Sequence, residues 1–136
     1  IETSGGVDRA ILFFLIDAYH EEGEGKEKRV VLKLHPRLAP VKAAVFPLLA
    51  NKPQLVEKAH EIFKSLKVQG LNTVFDDRGN IGKRYFSQDE IGTPWCITVD
   101  FQTLEDDTVT IRDRDTMKQE RVGVGELAAF VDKKLA

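Results

Sequence analysis

Nine residues, Val41 to Leu49, constrain this chain more than any others. They are almost wholly apolar, they carry no alternation, and they lie between Pro40 and the Asn51-Lys52-Pro53 stop. A run of that length is too short for a buried helix. It fits a strand covered on both faces, the situation of an inner strand in a parallel sheet. Pro47 cannot donate to a ladder, so the end of the run is expected to leave the sheet. The next segment has the period of a helix: Leu55, Ala59, Ile62, Phe63 and Leu66 form one face of Gln54 to Val68, with Pro53 near the first turn and Gly70 after the last. Strand, helix and return strand make the basic unit of an α/β fold.

The remainder extends that unit. Leu71 to Phe75 reads as a strand, Asp76 to Asn80 as a turn, and Ile81 to Ile91 as a helix closed by Gly92 and Pro94. Trp95 to Val99, Thr108 to Arg112 and Glu120 to Val122 read as strands, and Val124 to Leu135 as a last helix. Strands separated by helices are expected to run parallel, and strands joined by short turns antiparallel. The expectation is an α/β fold with a mixed five-stranded sheet flanked by three helices. Upstream, Val7 to Glu22 reads as one further helix, apolar on most sides and ended by Gly23-Glu24-Gly25, and Arg29 to Leu34 as a short strand.

Several chemistries are disfavoured. One cysteine, Cys96, rules out a disulfide framework and a multi-cysteine zinc site, and its Trp95-Ile97 setting suits a buried thiol. His20, His35 and His60 are scattered, with no metal-ligand spacing; no metal is expected. The longest apolar run, Ala10 to Ile16, is too short to span a bilayer and has no cleavage site after it, so no membrane is expected and the cytoplasm is the default location. The acidic groups Asp76-Asp77 and Glu105-Asp106-Asp107 lie where turns are expected. The loop Gly79 to Lys83 enters a helix and has the form of an anion site without Walker spacing.

Net charge is −2, yet the cations cluster. Six basic residues against one glutamate lie between Lys26 and Lys42; Arg78, Lys83 and Arg84 form a second group, and Arg112, Arg114, Lys118 and Arg121 a third. Such runs are either solvated faces or phosphate-binding surfaces.

Motifs decide between them. Glu2-Thr3-Ser4-Gly5-Gly6-Val7-Asp8-Arg9, running into an apolar helix, resembles the third signature motif of the class II aminoacyl-tRNA synthetases in its glycyl form, with Thr3 where proline is expected. Leu38-Ala39-Pro40-Val41-Lys42 with Val45 to Leu48, then Gly79 to Arg84, Asp89 to Pro94 and Asp107 to Met117, resemble successive parts of the anticodon-binding domain of the glycyl-tRNA synthetases. The resemblance is collinear over the whole chain. It implies the same five-stranded architecture, with residues 1–24 as the tail of a catalytic domain, 25–37 as a connector and 38–136 as the anticodon-binding domain.

The resemblance also implies roles. Arg9 would contact ATP phosphates, and Glu2 and Ser4 the glycine substrate. Asn80, Lys83, Arg84, Glu105, Arg112 and Arg114 would meet the anticodon arm of the tRNA for glycine. Arg114 is expected to read a base, braced by Asp113 and Asp115, with Arg112 nearer the backbone. Tyr85, Phe86 and Phe101 are either stacking platforms or core. No catalytic residue is expected in these residues, because the first two class II motifs do not occur in them. The chain is therefore expected to act as part of a longer enzyme, a homodimer using ATP with magnesium, and to be inactive alone. A non-catalytic protein-interaction module of the same fold is the alternative.

Overall fold

The computed structural model describes residues 3–136. A first helix, α1 (Val7–Ala18), leads into a hairpin of β1 (Tyr19–Glu22) and β2 (Arg29–Leu32), joined through a short 3-10 turn. Then come β3 (Ala43–Pro47), α2 (Pro53–Val68), β4 (Thr73–Phe75), α3 (Ile81–Ile91) and β5 (Trp95–Val99). The chain finishes with α4 (Phe101–Asp106), β6 (Thr108–Asp113), β7 (Gln119–Gly123) and, after another 3-10 turn, α5 (Leu127–Leu135).

The main sheet has the order β4-β3-β5-β6-β7. β3 runs parallel to both β4 and β5, while β5–β6 and β6–β7 are antiparallel. All five residues of β3 and of β5 are buried, as uninterrupted apolar strands require. The pleat divides the core. Ala43, Val45, Ile97, Val99, Val109 and Ile111 face α2 and α5, which contribute Leu55, Ala59, Ile62, Leu66, Leu127 and Val131. Ala44, Phe46 and Cys96 face α3, where Ile81 and Tyr85 pack on them. Pro47 is the last residue of β3, consistent with its missing donor.

Three expectations change. The helix expected over Val7 to Glu22 stops at Ala18, because Tyr19–Glu22 pairs instead with Arg29–Leu32, Tyr19 opposite Leu32 and Glu22 opposite Arg29. The residues between β5 and β6 form α4 rather than a turn. Asp100 caps it, accepting from the Thr103 amide at 3.0 Å while the Thr103 hydroxyl accepts from the Asp100 amide, and Asp107 closes it at φ 56°. The last helix begins at Leu127, three residues late.

The hairpin is part of the folded body. Val31 is fully buried against α3, and the backbone passes so close to Gly92 that a Cβ there would lie 3.1 Å from the Leu32 carbonyl oxygen. Gly92 also adopts φ +83°, so both space and conformation require glycine. α1 differs. Ala18 is its only buried residue, and Val7, Phe13 and Ile16 are 74%, 63% and 63% exposed.

Candidate nucleic-acid interface

Parallel strands place their carboxyl ends, and the helix starts that come after them, on one side of the sheet, where α/β folds usually bind ligands. Here that side carries the loops after β3, β4 and β5. It brings together Lys52, Arg78, Asn80 and Lys83 from the first two and Asp100, Phe101 and Glu105 from the third. β6 runs the opposite way, with Cys96 opposite Arg112 and Trp95 opposite Asp113. Arg112 and Arg114 therefore lie at the amino ends of the parallel strands, about 16 Å away by the length of a five-residue strand. The expected RNA-binding residues thus divide between two ends of the molecule.

The far end is a buried ion network. Asp89 is fully buried and accepts from Arg29 Nη1 at 2.9 Å and from Arg112 Nη1 and Nη2 at 3.0 and 3.1 Å. Arg29 also pairs with Glu22 and donates to the Arg114 carbonyl at 3.0 Å. Arg114 is 2% exposed; it donates to the carbonyls of Gly92 and Leu34 at 2.7 Å each and forks onto Asp115. Arg112 lies over the Tyr85 ring, 4.8 Å from its centroid. The expected roles of Arg114 as a base reader and of Arg112 as a backbone contact are corrected. Both guanidinium groups are buried and bonded inside the fold, so neither is presented to an RNA base. Only Asp115 braces Arg114; Asp113 accepts from the Asp115 and Thr116 amides and shapes the turn.

Arg84 is corrected in the same way. It is 2% exposed, and it donates to the carbonyls of Arg78 (3.0 Å), Gly79 (2.9 Å), Asp77 (3.2 Å) and Pro47. The loop at Gly79 wraps its carbonyls around this guanidinium, so its interior holds a cation and presents no anion cradle. Arg84 positions that loop. Asn80 is exposed, but its Oδ1 accepts the Lys83 amide at 2.9 Å as the α3 cap, leaving its amide nitrogen outward. Lys83 stays exposed and has no ion pair among the described residues.

The charge clusters resolve similarly. In the stretch from Lys26 to Lys42, Lys28 pairs with Glu21, Lys33 with Glu22, and Lys42 donates to the carbonyls of Pro36, Arg37 and Ala39. The ammonium of Lys33 beside Glu22 holds that carboxyl below its usual range. Among the described residues only Lys26 and Arg37 of this stretch lack such a partner, so half of its six cations are paired with carboxylates and Lys42 is held by carbonyls.

At the carboxyl end the α4 carboxylates have different fates. Asp100 forks onto Arg121 at 2.6 and 2.9 Å, and that contact above all holds its carboxyl down at about 2. Asp106 accepts from the Thr108 hydroxyl and amide, and Asp107 pairs with Lys58 at 2.7 Å. Glu105 is exposed and, among the described residues, has no partner. Phe101 is 48% and Phe86 40% exposed, so neither is core, whereas Tyr85 is half-buried and bonds Thr98. Sequence reasoning placed Arg121 in a cation cluster but missed its pairing with Asp100 and the helix between them; the Asp-x-x-Thr spacing from Asp100 to Thr103 was the available sign of a helix start.

Burial pushes the Cys96 thiol far up and makes it inert. No group of histidine, cysteine or acidic residues suited to a metal occurs among the described residues. Among them, no helix is long and apolar enough to cross a membrane. Arg9 and Ser4 are exposed, and Glu2 lies outside the described residues.

The sequence has counterparts among known proteins. Residues 42–134 match the family model described as anticodon binding domain, and the chain belongs to that family. Its relatives include glycine–tRNA ligases. It is 53% identical over 136 residues to that of Clostridium kluyveri, 54% over 140 to that of Streptomyces coelicolor and 52% over 141 to that of Thermobifida fusca. These alignments cover 99%, 99% and 100% of the chain but 28%, 30% and 30% of the relatives, so the chain spans less than a third of their length.

Proposed function

We propose that this chain is the anticodon-recognising part of a glycine–tRNA ligase, and that its partner is the anticodon arm of the tRNA for glycine. The observation that carries the reading is identity above 50% along essentially the whole chain to enzymes of that name, α1 and the hairpin included. The geometry supports it: the carboxyl end offers exposed cations for phosphates at Lys52 and Lys83, an exposed Arg78 that pairs with Asp76, an exposed Asn80, an exposed ring at Phe101 and an uncommitted carboxylate at Glu105. In the longer protein the reaction is ATP-dependent attachment of glycine to tRNA, in the cytoplasm, by a homodimer with residues 1–24 belonging to the catalytic domain.

The residues at the start do not by themselves fit ATP. Arg9 is a single exposed cation on α1, and nothing lies within 4 Å of where a Cβ would sit on Gly5 or Gly6, so no cradle surrounds a triphosphate.

The test is binding of anticodon stem-loops from glycine and non-glycine tRNAs at about 50 and about 200 mM salt. Preference for the glycine loop at both concentrations is expected; salt-dependent binding without preference refutes the reading. The purified chain is expected to show no glycine-dependent ATP–pyrophosphate exchange, and measurable exchange would refute the assignment of catalysis to residues outside it.

A further inference from the structure

The hairpin joins α1 to the main sheet with no slack in the chain. β1 begins at Tyr19, directly after α1, and the Ala18 carbonyl accepts the Lys33 amide at 2.7 Å, so the end of α1 is bonded to the residue just past β2. Pairing of β1 with β2 bypasses the turn from Gly23 to Lys28. Beyond β2, the Leu34 carbonyl accepts from Arg114 at 2.7 Å, and Lys42 gathers the carbonyls of Pro36, Arg37 and Ala39. Ions fix the hairpin to the body: Arg29 donates to Glu22 across the hairpin through Nε at 3.0 Å and to Asp89 of α3 through Nη1 at 2.9 Å. A buried ion network is often no more stabilising than apolar packing of the same volume, but its directional hydrogen bonds admit one arrangement. Among the described residues α1 buries only Ala18, so the hairpin sets its direction.

Resting on the reading of the chain as part of a glycine–tRNA ligase, we propose that Glu22, Arg29 and Asp89 are positioning residues that fix the angle between the catalytic part, reached through α1, and the unit that holds the anticodon arm. In that reading residues 1–24 end inside the hairpin. Glu22 then lies on the catalytic side of the boundary and Asp89 on the RNA-binding side, with Arg29 bonded to both. The leverage is large. α1 has 12 residues, about 18 Å, so a tilt of about 10° at the hairpin shifts its far end by about 3 Å. A misplacement of about 1 Å can cost about 100-fold in rate. Joining glycine to tRNA requires the two parts to hold one RNA at two places, whereas activating glycine with ATP requires the catalytic part alone. The network therefore acts on charging and not on activation.

The experiment uses the full-length ligase and three readings: glycine-dependent ATP–pyrophosphate exchange, kcat/KM for tRNA in charging, and binding of the glycine anticodon stem-loop, which touches only the RNA-holding unit. Arg29→Met is expected to lower kcat/KM for tRNA at least about tenfold, while exchange and stem-loop binding stay within about twofold of wild type. Arg29→Lys, which keeps the charge but loses the fork, is expected to fall between the two. Glu22 is partly exposed, so Glu22→Gln keeps the fold should Arg29→Met lose it; it is expected to lower charging at least about threefold with the other two readings unchanged. Unchanged charging in the folded variants overturns the proposal. Exchange falling in step with charging overturns it, because the catalytic part itself is then disturbed. Stem-loop binding falling in step overturns it as well, because the network then only holds the RNA-binding surface together. Each of these leaves the ligase reading standing. A wild-type protein that neither charges tRNA with glycine nor prefers the glycine stem-loop overturns that reading, and the positioning role with it.

Discussion

Replacing Asp89 with Asn removes one negative charge and almost no volume. The carboxylate is fully buried and accepts three charge-assisted hydrogen bonds from Arg29 and Arg112, themselves 4% and 5% exposed. The amide keeps one acceptor oxygen, so both guanidinium groups remain out of water with half their partner gone. Breaking a buried pair while its partners stay costs about 3–5 kcal/mol. A domain of this size has roughly 5–15 kcal/mol in all, so the loss is about a fifth or more. At about 3 °C per kcal/mol the melting temperature should fall by roughly 9–15 °C. Trp95 is the sole tryptophan, is 3% exposed and pairs across the strand with Asp113, so its fluorescence reports this region during urea unfolding. The midpoint should fall with an unchanged slope. Making the same change in an Arg29→Leu/Arg112→Leu background should cost at least about 2 kcal/mol less, since few cations then remain to be abandoned. A loss under about 1 kcal/mol, or the same loss in both backgrounds, would refute the view that these charges hold the fold.

Arg114→Lys should cost at least about 2 kcal/mol, because an ammonium cannot bridge the Gly92 and Leu34 carbonyls and Asp115 together; preference among anticodon loops should not change, which stem-loop binding checks. Asp100 titrates near 2 because Arg121 bonds its charged form. A depressed carboxyl contributes stability above its ordinary range near pH 4 and loses it as pH falls toward 2. Arg121→Met should raise the Asp100 carboxyl toward its ordinary range by NMR titration, although Thr103 still bonds it, and the stability lost at neutral pH should follow the measured rise at about 1.4 kcal/mol per unit. Amides of α1 should exchange far faster than those of β3 in a monomeric sample, and Phe13→Lys should change stability by less than about 0.5 kcal/mol; equal protection would show that the apolar stripe of α1 is covered.

The sheet was legible because β3 and β5 are apolar without interruption and α2 carries a clean helical face; those patterns are set by burial and need no knowledge of distant partners. The hairpin was not, because Tyr19–Glu22 continues a helical pattern and its partner begins seven residues later, with pairing and not propensity choosing the strand. The arginines misled for a related reason. Arg84, Arg112 and Arg114 sit at helix or strand ends, where a cation usually reaches solvent, and the groups that claim them, Asp89 and the carbonyls of Leu34 and Pro47, are 23, 80 and 37 residues away. Asn80, Lys83 and Glu105 remain outward because local geometry alone decides them.

The Arg29–Asp89 contact has a practical side. The family match begins at residue 42, and a gene trimmed to that point would encode the entire five-stranded sheet. It would also discard Arg29, the Leu34 carbonyl and Val31, leaving Asp89 with one arginine, Arg114 short of an acceptor and the flank of α3 bare. A start at Tyr19 removes the apolar α1 and keeps every one of those groups. The shortest soluble unit for expression, crystallisation or NMR is therefore expected to run from residue 19 to 136, some twenty residues longer at its front than a boundary drawn from sequence likeness.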